Sequence, residues 1–166
     1  MEIIMNSDLV SHAIELRKQG KFEESRSLLF SLVDSFEDKG SIYLNIAWSY
    51  DNQGMEKDAL NYYALSLKEK MPDDQIFDAT FGLACTYRCL GDLQKAENIF
   101  SQLHRKYPEA LEVIPFYALC LSSLGRKDDA IKLLFVLILE SPSIEAVRPY
   151  FKTLLEYVNA EYPKPI

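Results

Sequence analysis

Leu83-Ala84-Cys85-Thr86-Tyr87-Arg88-Cys89-Leu90-Gly91-Asp92-Leu93-Gln94-Lys95-Ala96-Glu97-Asn98-Ile99-Phe100 places one glycine between two apolar-periodic segments. Leu83 and Tyr87 recur at helical spacing ahead of Gly91, and Ala96 and Phe100 recur at the same spacing behind it. That pattern predicts an amphipathic helix, a stop, and a second amphipathic helix. Glycine makes the stop because it enters the left-handed region without a Cβ penalty, so the chain can reverse.

The same arrangement recurs outward in both directions. Gly20, Gly54, Gly91 and Gly125 are separated by 34, 37 and 34 residues. Five residues after each glycine stands a small residue: Ser25, Ala59, Ala96 and Ala130. Seven before it stands an alanine: Ala13, Ala47, Ala84 and Ala118. The positions eight and four before hold Ile46 and Tyr50, Leu83 and Tyr87, Tyr117 and Leu121, while the first copy departs with His12 ahead of Leu16. Prolines keep the same interval: Pro108 and Pro142 are 34 apart, as are Pro115 and Pro149. The first pair falls where second helices should end. The second falls near the first turn of a following helix, where a missing N–H costs little. Small residues on either side of each glycine let two helix backbones approach closely. A single helix pair cannot bury its apolar face alone, so neighbours must stack into a continuous core.

The pattern W/Y-x2-L-A-x2-Y…G-x4-A…F/Y…P resembles the tetratricopeptide repeat. Its best copies are Tyr43-x2-Ile46-Ala47-x2-Tyr50…Gly54-x4-Ala59…Tyr63 and Leu83-Ala84-x2-Tyr87…Gly91-x4-Ala96…Phe100…Pro108. Phe81-Gly82-Leu83-Ala84-Cys85-Thr86-Tyr87-Arg88-Cys89-Leu90-Gly91 is also similar to a small bacterial tetratricopeptide family of unassigned function, for which a dimeric state is implied. The expected fold is all-α: an α-α superhelix in a single domain over 1–166. Its repeats are set at 6–39, 40–76, 77–110 and 111–144, followed by a capping helix over 145–160. The second repeat is longer by three residues, assigned to the connection Met71-Pro72-Asp73-Asp74-Gln75, and Tyr162-Pro163-Lys164-Pro165-Ile166 reads as a tail.

Bulk properties exclude several classes of function. The chain has 166 residues, 48% hydrophobic and 26% charged, which supports a packed core rather than disorder. Net charge is −7, the wrong sign for a phosphate-backbone binder or an anionic membrane surface. The longest apolar tract, Leu133 to Leu139, is far shorter than the roughly 20 residues that span a bilayer. Residues 1–8 carry no basic segment of a secretory signal. An odd number of cysteines, three, reads as reduced thiols, so the expected compartment is the cytoplasm. No G-x-S-x-G, phosphate-cradling glycine loop or His-Glu-x2-His occurs, and two histidines leave little for general-base work. No catalytic residue, cofactor or metal is therefore assigned. Cys85 and Cys89 share one helical face, but His12 and His104 fall in other repeats and complete no zinc set.

The resemblance implies that the first helix of each repeat lines a concave, partner-binding surface. Repeat phase then assigns to it Ile14 and Arg17, next Leu44, Asn45 and Trp48, next Phe81, Cys85 and Arg88, then Phe116 and Leu119, and Tyr150 from the last helix. Such an apolar, aromatic groove edged by arginines suits an amphipathic helix or an apolar peptide. Trp48, the single tryptophan, is its candidate hot spot, although a tryptophan there can also serve only to cover the next repeat. The acidic chaperone C-terminus that some relatives hold requires residues matched here by Val10, Ile14, Asn45, Asp78 and Gly82. Only Asn45 agrees, which disfavours that ligand. The expectation is a noncatalytic scaffold binding a protein or peptide; a peptide-sensing regulator and an accessory subunit of an enzyme are the alternatives.

One further face stands out. Eleven residues after each glycine the series reads Ser31, Leu65, Gln102 and Val136, and three later Asp34, Lys68, Arg105 and Leu139. Phe135, Val136 and Leu139 thus make the outer face of the fourth repeat apolar. Either the last helix covers it with Phe151, Leu154, Leu155 and Val158, or a second copy does, giving a homodimer.

Overall fold

The computed structural model describes residues 2–140 and 145–161. Nine α-helices follow in order among them: α1 (Glu2–Lys18), α2 (Phe22–Leu32), α3 (Lys39–Asn52), α4 (Glu56–Ser66), α5 (Asp73–Cys89), α6 (Leu93–Lys106), α7 (Val113–Ser123), α8 (Lys127–Glu140) and α9 (Phe151–Glu161). Short 3-10 turns, Val33–Ser35 and Glu145–Tyr150, follow α2 and precede α9. No strand occurs among the described residues. This is the all-α repeat expected from the glycine spacing.

The four glycines that set the period all have positive φ: 77° at Gly20, 75° at Gly54, 82° at Gly91 and 81° at Gly125. At Gly54 the reversal is a Schellman closure. The N–H of Gly54 donates to the Asp51 carbonyl at 2.9 Å, and that of Met55 to the Tyr50 carbonyl at 2.9 Å. A Cβ added at Gly54 would meet nothing within 4 Å, so backbone conformation alone selects glycine there.

Contacts divide the chain into two compact units, residues 1–91 (unit 1) and 92–166 (unit 2). In unit 1 each helix packs on its successor from α1 to α5, and α3 also touches both α1 and α5. Ala13, Leu29, Val33, Ile42 and Ile46 form one core cluster. Leu44, Ala47, Ala59, Tyr63 and Ala79 form a second. The small residues sit where the helices cross: Ala13, Ala47, Ala59 and Ala84 are wholly buried. Ser25, which departs from alanine, donates its hydroxyl to the Ala13 carbonyl at 2.7 Å and so buries no unpaired polar atom. Arg26 is buried as well, with its guanidinium 4.1 Å from the Tyr50 ring centroid and Nη1 3.3 Å from Ser49 Oγ.

In unit 2, α7 packs on α6, α8 and α9. Phe100 of α6 stacks on Tyr117 of α7 at 6.2 Å. Glu97 accepts from the Tyr117 hydroxyl at 3.1 Å and pairs with Arg126 at 3.3 Å, tying α6 to the turn before α8.

Three placements refine the sequence reading. α5 begins at Asp73, so the second repeat's extra residues partly extend that helix, and the expected boundary at 77 falls inside it. Pro72 precedes it in an extended conformation, and Asp73 and Asp74 occupy the first turn, where carboxylates favour the helix dipole. α6 ends at Lys106 ahead of Pro108, and Pro115 lies in the first turn of α7. Pro149 lies within the 3-10 turn just ahead of α9. Pro142 and the tail Tyr162–Ile166 lie outside the described residues.

Candidate functional site

In unit 1 the face formed by α1, α3 and α5 gathers the polar and aromatic groups that the repeat phase selected. Arg17 projects from the last turn of α1, and its guanidinium carbon lies 5.1 Å from the centroid of the Trp48 ring. Its Nη1 also donates to the main-chain carbonyl of Asn45 at 3.4 Å. Burial lowers the Arg17 pKa from its ordinary value, and among the described residues the side chain has no ion-pair partner within 4 Å. The arginine thus rests over the tryptophan ring without a paired carboxylate among the described residues.

Asn45 is 8% exposed, and its Nδ2 donates to the Ser41 carbonyl at 2.9 Å, which fixes the orientation of the amide. Its Oδ1 is buried without a hydrogen-bond partner among the described residues. An unpaired buried acceptor costs stability.

Beside them, Asp51 accepts the hydroxyl hydrogen of Tyr63 at 2.9 Å. Burial raises the Asp51 pKa, with the Tyr63 hydrogen bond opposing the shift. Burial, then the Asp51 carboxylate, pushes the Tyr63 phenol up. The sequence marks Tyr63 as a repeat-motif residue but not as part of this face, because it lies on a second helix of a repeat. A signal was present in Gly82, nine residues before Gly91: a Cβ there would overlap the Tyr63 ring and lie 2.8 Å from its hydroxyl oxygen. Glycine at that position makes room for the phenol.

The other selected residues separate by burial. Ile14, Trp48, Cys85 and Arg88 are half-buried on exposed ground. Leu44 is 0% exposed and belongs to a core cluster, so it supports the face from below rather than lining it. Phe81 is also buried, stacked on Phe77 at 5.9 Å. Repeat phase identifies the helix face but not its depth, and these two lie on the inner edge.

Unit 2 holds the remaining three. Phe116 and Leu119 are buried, and Tyr150 is half-buried. Tyr150 and Tyr157 both meet Phe116 edge-on, at 5.6 and 6.3 Å. The chain's own C-terminal segment thus occupies the aromatic surface of Phe116. Leu119 instead lines an apolar cavity of about 420 Å³ walled by α7, α8 and Leu154 of α9.

The α8 face is apolar, but its exposed stripe is not quite the expected one. Phe135 is 59% exposed, Val136 is half-buried, and the side chain of Leu139 lies outside the described residues. Ile131, Leu134 and Ile138 complete the stripe, at 52, 39 and 69% exposure. α9 leaves this stripe open; the side chains of Phe151, Leu155 and Val158 also lie outside the described residues.

Cys85, Cys89 and Cys120 are free thiols, and Cys120 is buried with its Sγ 3.5 Å from the Leu93 carbonyl. Among the described residues no cluster of three His, Cys, Asp or Glu is placed to hold a metal, and no helix is long and apolar enough to cross a membrane.

The family profile described as Tetratrico peptide repeat matches residues 40–144. No curated protein matches the chain. Among solved structures, a tetratricopeptide repeat protein from Parabacteroides merdae is similar with a TM-score of 0.71 at 18% identity, covering 96% of this chain and 67% of that one. YrrB, described as a TPR protein with an unusual peptide-binding site, gives 0.68 at 15%, covering 94% and 86%. MamA gives 0.65 at 16%, covering 97% and 78%. At these identities the likeness concerns the fold, and with the matched repeats it leads to one assignment: the chain belongs to the tetratricopeptide repeat family.

Proposed function

We propose that the protein is a noncatalytic adaptor that binds a peptide segment of another protein across the α1–α3–α5 face of unit 1. The observation that carries this reading is the half-buried Trp48 with the Arg17 guanidinium carbon 5.1 Å from its ring centroid and, among the described residues, no carboxylate paired to that arginine. An apolar side chain of the peptide rests on the free part of Trp48, and Arg17 attracts a carboxylate or carbonyl next to it. Cys85 and Ile14 supply apolar margin. The peptide-binding site that YrrB is described as having makes this mode reasonable for the fold. A regulator that senses peptides, or an accessory enzyme subunit, would use the same face. Three free thiols make the cytoplasm the natural compartment.

Trp48 is the single tryptophan, so it is also a built-in probe. Peptides recovered by display against the protein should shift its emission on binding. Trp48→Ala should lose that binding at least tenfold while keeping helicity and melting nearly intact. A variant whose melting collapses instead assigns Trp48 to the core. Peptides that bind without moving its emission lie elsewhere.

A further inference from the structure

At Leu134, the exposed stripe on α8 includes the position that the earlier repeats use to stack on their successors. Nine residues after each glycine stand Leu29, Tyr63, Phe100 and Leu134. The first three are 1, 1 and 0% exposed, each against the helix that opens the next repeat. Leu29 joins Ile42 and Ile46 of α3, Tyr63 joins Ala79 of α5, and Phe100 stacks on Tyr117 of α7. Leu134 is 39% exposed. Thirteen residues after the glycine stand Val33 at 9%, Leu67 and His104, both half-buried, and Ile138 at 69%. The α8 face is therefore a continuation of the established inter-repeat interface, without the helix that interface normally receives.

We propose that this face docks an amphipathic helix of a partner protein, laid along the α8 positions that the first helix of a further repeat would cover. α9 takes only part of that place: it meets α7 as α3 meets α1, and its Leu154 lines the cavity beside Ile131 and Leu134, yet Leu134, Phe135 and Ile138 stay 39, 59 and 69% exposed. A small apolar ligand in the 420 Å³ cavity would meet Ile131 and Leu134 but leave Phe135 and Ile138 bare, since neither lines it. A helix laid along α8 covers all four, because they recur at i, i+3, i+4 and i+7 over two turns.

A second copy of this chain stacked head to tail does not supply that helix. Stacking helices carry apolar residues twelve and eight before the glycine: Ile42 and Ile46, Ala79 and Leu83, Val113 and Tyr117. α1 carries Asp8 and His12 there, both exposed. Burying an aspartate and a histidine against α8 without partners is unfavourable. The occupant is thus a helix with apolar residues at the twelve-before and eight-before positions, carried by a different chain.

The test uses a synthetic, fluorescein-labelled peptide of residues 73–89, a stacking helix of this chain, as the probe. Its control carries Asp and His in place of Ala79 and Leu83. Anisotropy titrations with the full chain should show saturable binding of the first peptide, at least tenfold tighter than the control. Ile131→Glu/Ile138→Glu, which changes exposed side chains only, should lose the difference, whereas Trp48→Ala should keep it. That last arm separates this surface from the groove of unit 1. Equal binding of both peptides, or binding untouched by the α8 variant, overturns the proposal. So does light scattering that finds a wild-type dimer and a monomeric α8 variant, which would give the face to a second copy pairing α8 on α8.

Discussion

At the scale of single residues, the face of unit 1 combines groups that serve the fold with groups that are left wanting. Asp51 belongs to the first kind, and its cost is measurable. Burial holds its folded-state pKa above the ordinary 3.8, so the folded chain binds that proton more tightly than the unfolded chain does. Stability from this group therefore falls as pH rises from about 3.8 through the raised folded value, and at pH 7 the whole penalty is in place. Asp51→Asn keeps an oxygen to accept the Tyr63 hydroxyl hydrogen and removes the buried charge. Its melting temperature should exceed that of wild type at pH 7, with the gain shrinking towards zero below pH 4. A lower melting temperature at pH 7 would mean that Arg17 or another cation compensates the carboxylate, and the account would fail. Much of this face was legible beforehand. Arg17, Asn45 and Trp48 were reached by counting back from the glycines. What counting could not reach was depth. Leu44 and Asn45 are adjacent on α3, yet one is core and the other holds an orphan oxygen. That difference comes from the packing of α4 beneath them, which no single-helix pattern records.

At the scale of the element, helix identity followed from period, and helix ends from particular residues. Gly54 and Gly91 end α3 and α5 because their φ angles exclude a side chain, and this was readable from the repeat alone. The start of α5 was not. Pro72 and the acidic pair Asp73-Asp74 begin the helix four residues before the repeat boundary, so local capping chemistry overrode strict periodicity. On α8 the sequence reading chose an outer face through Val136, whereas the open stripe runs through Ile131, Leu134, Phe135 and Ile138. From Leu133 to Leu139 every residue of α8 is apolar, so that stretch offers no polar side from which to orient it, and its neighbours decide. The closest helix crossings are firmer ground. Ala96 is wholly buried five residues after Gly91. Ala96→Leu inserts three carbons into a packed crossing and should cost roughly 1–3 kcal/mol of unfolding free energy. Urea denaturation of the variant reads this directly as a lower midpoint at unchanged slope. A midpoint equal to that of wild type would show that the crossing has room that the buried alanine does not reveal.

At the scale of the whole molecule, α1 and α8 carry opposite chemistry at their stacking positions. α1 presents Asp8 and His12 at the stacking positions, while α8 presents Leu134 and Ile138. This asymmetry acts as a barrier to self-stacking: if both ends were apolar, each copy would offer a surface complementary to the next, and heterologous association would proceed without limit. The two polar residues are the natural place to remove that barrier. Asp8→Ile/His12→Ile gives α1 the apolar pair that Ile42 and Ile46 provide on α3. Both replaced side chains are exposed, so the fold should survive, with helicity unchanged. Sedimentation should then show species that grow with protein concentration beyond a dimer, where the wild type does not. Adding Ile138→Glu to the same chain should return it to the wild-type mass, because the growing contact requires the α8 stripe as its other half. A double variant that stays at the wild-type mass would mean that α1 and α8 do not match as repeat neighbours. In that case the exposed stripe would be an unused surface rather than an interrupted stack.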